Sequence, residues 1–186
     1  MNEQLIPSRK SISNLLVPFP TILVTQNRKG TINAATMSYV SAIHWDPPSI
    51  ILSVGASLKT SQNLEENPFF TICMMKNDSE SKGIANRAGT ASGNQENKFE
   101  KVDFLDDQSD LINENYPPAV KGSVIALHGS IVKKVEYHGQ FLYIGEIFAS
   151  RMIESLQMID EYDKNKLWGA LDEISLTHAN IYEKLD

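Results

Sequence analysis

The sequence predicts a mostly β domain with short helices, closing on itself as a small barrel. Two β-rich blocks, residues 21–75 and 122–152, carry the strand signal. The helical stretches between them are short and do not alternate with strands in the βαβ manner of a parallel sheet. With 186 residues, 41% hydrophobic and 22% charged, the chain suits one globular domain with a real core.

The elements follow in order. "SISNLLVPFP" (11–20) allows a short helical turn before Pro18 and Pro20 force an extended path. "TILVTQ" (21–26) is β-rich, and "NRKG" (27–30) is turn chemistry, with Gly30 able to supply a positive φ. "TINAATMSYVSAI" (31–43) resumes as a strand, which makes a hairpin through 27–30. "WDPP" (45–48) ends that run, because neither proline can donate to a ladder. "SIILSV" (49–54) reads as a short strand buried on both faces. "TSQNLEEN" (60–67) reads as a helix with Thr60 or Ser61 as N-cap, closed by Asn67-Pro68, and "FFTICMM" (69–75) as the next strand.

From 76 to 121 the signal weakens. "SESKGIANRAG" allows one or two helical turns, and "TASGNQENK" reads as an exposed loop. Residues 122–152 form two long strands around the His138-Gly139 turn. The tail, 153–186, leans to helix at "SLTHANIYEKL" and is expected to pack across the barrel or a partner. No internal repeat is visible.

Composition narrows the function. Net charge is −6, from 17 basic and 23 acidic residues, so no broad basic footprint for nucleic acid is expected. A single anion can still be held by a few backbone N–H groups and one lysine. No apolar run approaches the roughly 20 residues that span a bilayer. "MNEQLIPSRK" lacks a secretory apolar segment, so a cytoplasmic protein without membrane partners is expected. One cysteine, Cys73, excludes an internal disulfide, and it reads as a core thiol. The four histidines show no helical i, i+4 pair, and no metal is expected. His44, His128 and His138 read as structural at least as readily as catalytic; Trp168 and Tyr182 read as packing residues.

The junction "SVGASLKTSQN" carries the most chemistry. Ser57, Lys59 and Thr60 stand between a strand and a helix start, offering two hydroxyls, a cation and unpaired N–H groups. Those groups suit a phosphate monoester. Taken alone, these residues read more readily as an ordinary N-cap at Thr60 and a solvated charge at Lys59. The spacing is not that of a Walker loop.

Over residues 15–152 the chain resembles the flavin reductase-like, FMN-binding split-barrel family, which includes flavoredoxins and small reductase components. The features carrying the resemblance come in register: Val24-Thr25, Gly30, Asn33-x-Ala35-x-x-Ser38, Asp46-Pro47-Pro48, Ser53-x-Gly55, Lys59-Thr60 and Asn63-Leu64. The later hairpin ends in Ile144-Gly145-Glu146-Ile147, another family feature. The tail keeps Tyr182 but lacks the glycines that many relatives carry there.

The resemblance implies one Greek-key-like split-barrel domain over 1–186, its core at about 15–152 and a helical extension at 153–186. It implies that Asn33, Ala34, Ala35 and Thr36 run along the isoalloxazine edge. Ser38, Ser53, Val54, Gly55, Ser57, Lys59 and Thr60 would then hold ribityl and phosphate. It further implies an FMN oxidoreductase, reduced by NADH or NADPH through hydride transfer to N5, acting as a homodimer and passing electrons to a free flavin or a redox partner protein. No residue is assigned as a general acid or base, since the cofactor carries the chemistry. Two alternatives stay open: a flavoredoxin-type electron carrier without a nicotinamide site, and a non-redox split-barrel binding protein.

Overall fold

A computed structural model describes residues 21–95 and 115–152. They form seven strands and two helices: β1 (Thr21–Gln26), β2 (Ile32–Met37), β3 (Val40–Trp45), β4 (Pro48–Gly55), α1 (Lys59–Glu66), β5 (Phe69–Met75), α2 (Ser79–Thr90), β6 (Ser123–Tyr137) and β7 (Gln140–Met152). The strands make one antiparallel sheet in the order β2-β1-β5-β6-β7-β4-β3. Its two edges, β2 and β3, are joined by only Ser38 and Tyr39. The sheet therefore has to curl until its edges nearly meet, and the result is a barrel open along one seam. Register shifts in the β6–β7 pair, at His128/Gly129 and Ile131/Lys133, supply the bends that let two long strands follow that curve.

Both predicted hairpins form. Gly30 has φ +82°, and the β6–β7 turn places His138 and Gly139 at φ 47° and 75°. Four expectations change. The run 31–43 is two strands with a corner at Ser38 and Tyr39, because its first half pairs with β1 and its second half crosses to pair with β4. β4 alternates between buried and half-buried residues, while β1 and β5, at the centre of the two cores, are buried on both faces. The helix after β4 starts at Lys59, with Leu58 as N-cap; Thr60 and Ser61 turn inward instead of capping. The weak stretch after β5 holds a three-turn helix, capped by the Asp78 side chain accepting from the Ser81 N–H at 2.8 Å. Its buried face is Ser81, Ala85 and Ala88, too small and too polar to give a strong apolar period. The helical turn expected in 11–20, the extension 153–186, Trp168 and Tyr182 lie outside the described residues.

Alternation along β1 and β5 sends neighbours to opposite cores. Ile22, Val24, Cys73, Met75 and Ala34 pack with Ala85 and Ala88 beneath α2. Leu23, Ile72, Phe70, Leu52, Val54 and Tyr143 fill the barrel with Leu64 of α1. Phe70 is fully buried between Gly129 and Gly145, where any Cβ would overlap its ring. Thr71 donates its hydroxyl proton to the Pro117 carbonyl, so the His128 ring, 3.0 Å away, must donate to Thr71 through Nδ1. Burial pushes the Cys73 thiol pKa up, and the Val120 N–H donates to its sulfur.

Candidate functional site

The site grows from the way α1 docks. Of its four buried residues, Thr60, Ser61, Asn63 and Leu64, three are polar, so hydrogen bonds attach it to the sheet. Asn63 Nδ2 donates to Thr25 Oγ1 at 3.3 Å, Thr25 Oγ1 donates to the Asn33 carbonyl at 3.4 Å, and Asn33 Nδ2 donates to Thr60 Oγ1 at 3.0 Å. Ser61 donates to the Gly55 carbonyl at 2.9 Å. With these hydroxyls committed inward, no side chain caps the helix. Among the described residues, the N–H groups of Lys59, Thr60 and Ser61 keep the unpaired state that helix starts share. They also carry the positive end of the helix dipole.

Beside this helix start lies a cavity of about 210 Å³. Asn33, Ala35, Thr36 and Met37 of β2 form one wall, and Leu58, Lys59 and Thr60 form the second. Ala88, Gly89 and Thr90 at the end of α2, with Ala91, Ser92 and Gly93 beyond it, form the third. α2 comes this close to β2 because Gly89 faces Thr36, whose hydroxyl donates to the Ala85 carbonyl.

One polar atom in this lining is left over. Asn33 is 3% exposed, its amide nitrogen is spent on Thr60, and its Oδ1 is buried with no partner. An unmade hydrogen bond of this kind costs about 1–3 kcal/mol. Asn63 Oδ1 and Thr21 Oγ1 share that state, but neither residue lines the cavity. The walls differ in polarity: N–H groups and the Lys59 ammonium stand on the α1 side and a helix C-terminus on the α2 side, while Asn33 Oδ1 lies covered beneath Gly93.

Of the residues singled out in the sequence, Asn33, Ala35, Thr36, Lys59 and Thr60 come together here. Ala34 faces the other way, into the core under α2, and Val54 lies inside the barrel. Ser38 sits at the corner between β2 and β3, and Ser53 sits on β4 opposite Leu142. Gly55 accepts from Ser61 and from the Leu58 N–H. Ser57 is exposed, and its carbonyl accepts from Asn94 Nδ2 at 3.0 Å. Sequence reasoning missed the third wall. Its one signal was the density of small residues in "RAGTASGN", where the sequence reads as the end of a helical turn followed by an exposed loop.

A family profile described as the flavin reductase like domain matches residues 14–165. The chain belongs to that family. Comparison with curated proteins returns no match. Among solved structures, the chain is similar to the flavoredoxin of Desulfovibrio vulgaris (Miyazaki F): TM-score 0.69, 20% identity, 89% of this chain and 85% of the other covered. It is similar to an FMN-binding protein from Thermus thermophilus (0.68, 15%, 87% and 82%) and to the NADH:FAD oxidoreductase of Streptomyces globisporus C-1027 (0.65, 18%, 83% and 90%). These likenesses establish the shared split-barrel fold.

For a flavin reductase like domain, the group to test against this corner is a flavin nucleotide. Its phosphate suits the free N–H groups and Lys59, and its ribityl hydroxyls include donors of the kind Asn33 Oδ1 lacks. The cavity falls below the roughly 300 Å³ at which pockets begin to enclose a drug-sized molecule. It therefore matches one end of such a nucleotide, and the residues present fit that end.

Proposed function

We propose that this chain is an FMN-binding oxidoreductase that accepts reducing equivalents from NADH or NADPH. When bound, FMN supplies the two-electron acceptor chemistry. The protein's part is to bind and orient. Lys59 and the first-turn N–H groups of α1 hold the phosphate, Asn33 Oδ1 accepts from the ribityl chain once the Gly93 segment that covers it moves aside, and Ala35 leaves room for the chain and ring to approach β2. The observation that carries the reading is the meeting, in one cavity, of an uncapped helix start, a lysine and a buried acceptor without a donor.

Absorption spectroscopy of purified protein with FMN, followed by anaerobic NADH or NADPH, tests it directly. Binding followed by bleaching of the flavin band is the expected result. Lys59→Ala tests the phosphate site. Loss of a charge-assisted contact should weaken FMN binding about tenfold to a hundredfold and leave riboflavin affinity nearly unchanged. Equal FMN affinity in variant and parent would remove the phosphate from this corner.

The likeness to a flavoredoxin favours a second reading, an FMN electron carrier reduced by another protein. FMN binding without bleaching by either nicotinamide selects it. The proposal also includes a homodimer. Its support is the exposed apolar set on β3, β6, β7 and their turns: Tyr39, Ile43, Trp45 (88% exposed), Val135, Tyr137 and Phe148.

A further inference from the structure

We propose that residues 91–95 form a strap that limits this site to mononucleotides, making Gly93 and Asn94 determinants of FMN over FAD. The inference rests on the reading above, that the phosphate of a flavin sits at the start of α1.

The strap leaves the end of α2 and turns back over the start of α1. Its turn is closed by its own hydrogen bonds: the Gln95 N–H donates to the Ser92 carbonyl at 3.0 Å, and the Asn94 N–H to Ser92 Oγ at 3.4 Å. Asn94 Nδ2 then donates to the Ser57 carbonyl at 3.0 Å, one residue before the N-cap of α1. Gly93 lies against both functional walls. A Cβ there would stand 3.2 Å from Lys59 Cβ and would overlap Asn33 Oδ1. The glycine is not required by backbone conformation, since positive φ among the described glycines occurs at Gly30, Gly122 and Gly139. It is required by closeness. Only a residue without a side chain lets the strap come down onto the buried amide and the lysine stem together.

This position decides what can extend beyond the phosphate. A mononucleotide ends there, whereas a dinucleotide continues through a second phosphate into a nucleoside. That continuation must leave the α1 start, where Gly93 lies against Lys59 and Asn94 bonds the Ser57 carbonyl. The contact of Asn94 with Ser57 is a hydrogen bond between exposed residues, so the strap can lift to admit the ligand and settle again over its end.

The test measures dissociation constants of FMN, FAD and riboflavin for the full-length protein, for Asn94→Ala and for Gly93→Ala, by quenching of flavin fluorescence. The parent should prefer FMN over FAD by at least about tenfold. Asn94→Ala removes that contact and leaves both walls intact, and it should narrow that preference by about threefold to tenfold, the size of one net hydrogen bond. Gly93→Ala should narrow it further, because the new methyl group holds the strap away from Asn33. Equal affinity of the parent for FMN and FAD overturns the inference and leaves the flavin reading standing. A preference that survives unchanged in both variants also overturns it. Absence of binding by all three flavins overturns the flavin reading, and the strap's role with it.

Discussion

Phe70 and Asn33 each press against glycine, with opposite outcomes. In the barrel, Gly129 and Gly145 admit the Phe70 ring from two sides, and the space is full. Next to it Thr71 and His128 have their hydrogen bonds made. At the cavity, Gly93 admits the Asn33 amide, yet the amide oxygen stays unpaired and a cavity remains. The first region is complete as a folded chain. The second lacks a donor and a volume of atoms, both of which the proposed ligand would bring. On the function proposed above, the unpartnered Asn33 oxygen belongs to the end of the site that receives the ligand.

The largest expected effect breaks the closed region. In Gly145→Ala the new methyl carbon would stand 2.6 and 2.7 Å from Phe70 Cε1 and Cζ, and Phe70, at 0% exposure, has nowhere to go. Overpacking of this kind costs about 1–3 kcal/mol, and the contact with the fully buried Phe70 places this case at the upper end. Urea denaturation should show a large drop in midpoint with little change in slope. A variant as stable as the parent would show the Phe70 packing to be loose, and the contrast with the cavity would lose its basis.

Asn33→Ala gives the converse. Removal of the unpaired Oδ1 relieves a cost, while Thr60 Oγ1 loses its donor, so two terms of about 1 kcal/mol oppose each other. Stability should move by less than about 1 kcal/mol, while FMN affinity falls about threefold to tenfold. The same pair of measurements therefore separates the two regions: Gly145→Ala changes the midpoint, Asn33→Ala changes the titration. A large loss of stability in Asn33→Ala would mean that the amide serves the fold.

What the sequence discloses follows the same division. The strands of the closed region are legible because their pattern is generated by burial: "TILVTQ", "FFTICMM" and the 122–152 hairpin each announce a face. β4 misleads, since Ile50, Leu52 and Val54 point inward while Ile51 and Ser53 on the other face are only half-buried. Of the first two walls, Lys59 and Thr60 are legible because they stand at a helix start, whereas Asn33 enters only through the family resemblance. The inward turn of Thr60 and Ser61 is not legible. A threonine beside a helix start reads as a cap unless one knows that Asn33 waits opposite it, and that pairing spans 27 residues. The third wall escapes for a different reason. Ala88, Gly89, Ala91 and Gly93 occupy little space, and smallness leaves no period to read.

The smallest effect comes from pH and belongs to the closed region. His128 is buried, and burial lowers its pKa from the ordinary 6.5, with the positive Arg151 adding to the shift. The folded protein therefore holds a neutral ring, fixed by Thr71, while the unfolded chain takes up a proton near 6.5. Below that pH the unfolded state binds more protons, so stability should be full above 6.5 and should decline as pH falls through the folded-state pKa. Carboxylates contribute their own acid slope, so the informative quantity is the difference between parent and His128→Gln. Denaturation midpoints measured above and below 6.5 should decline less steeply in the variant. Saturating FMN should raise both midpoints without altering that difference, because His128 lies outside the cavity lining. If FMN abolished the difference, the two regions would be coupled, and a barrel complete without its ligand would no longer describe this protein.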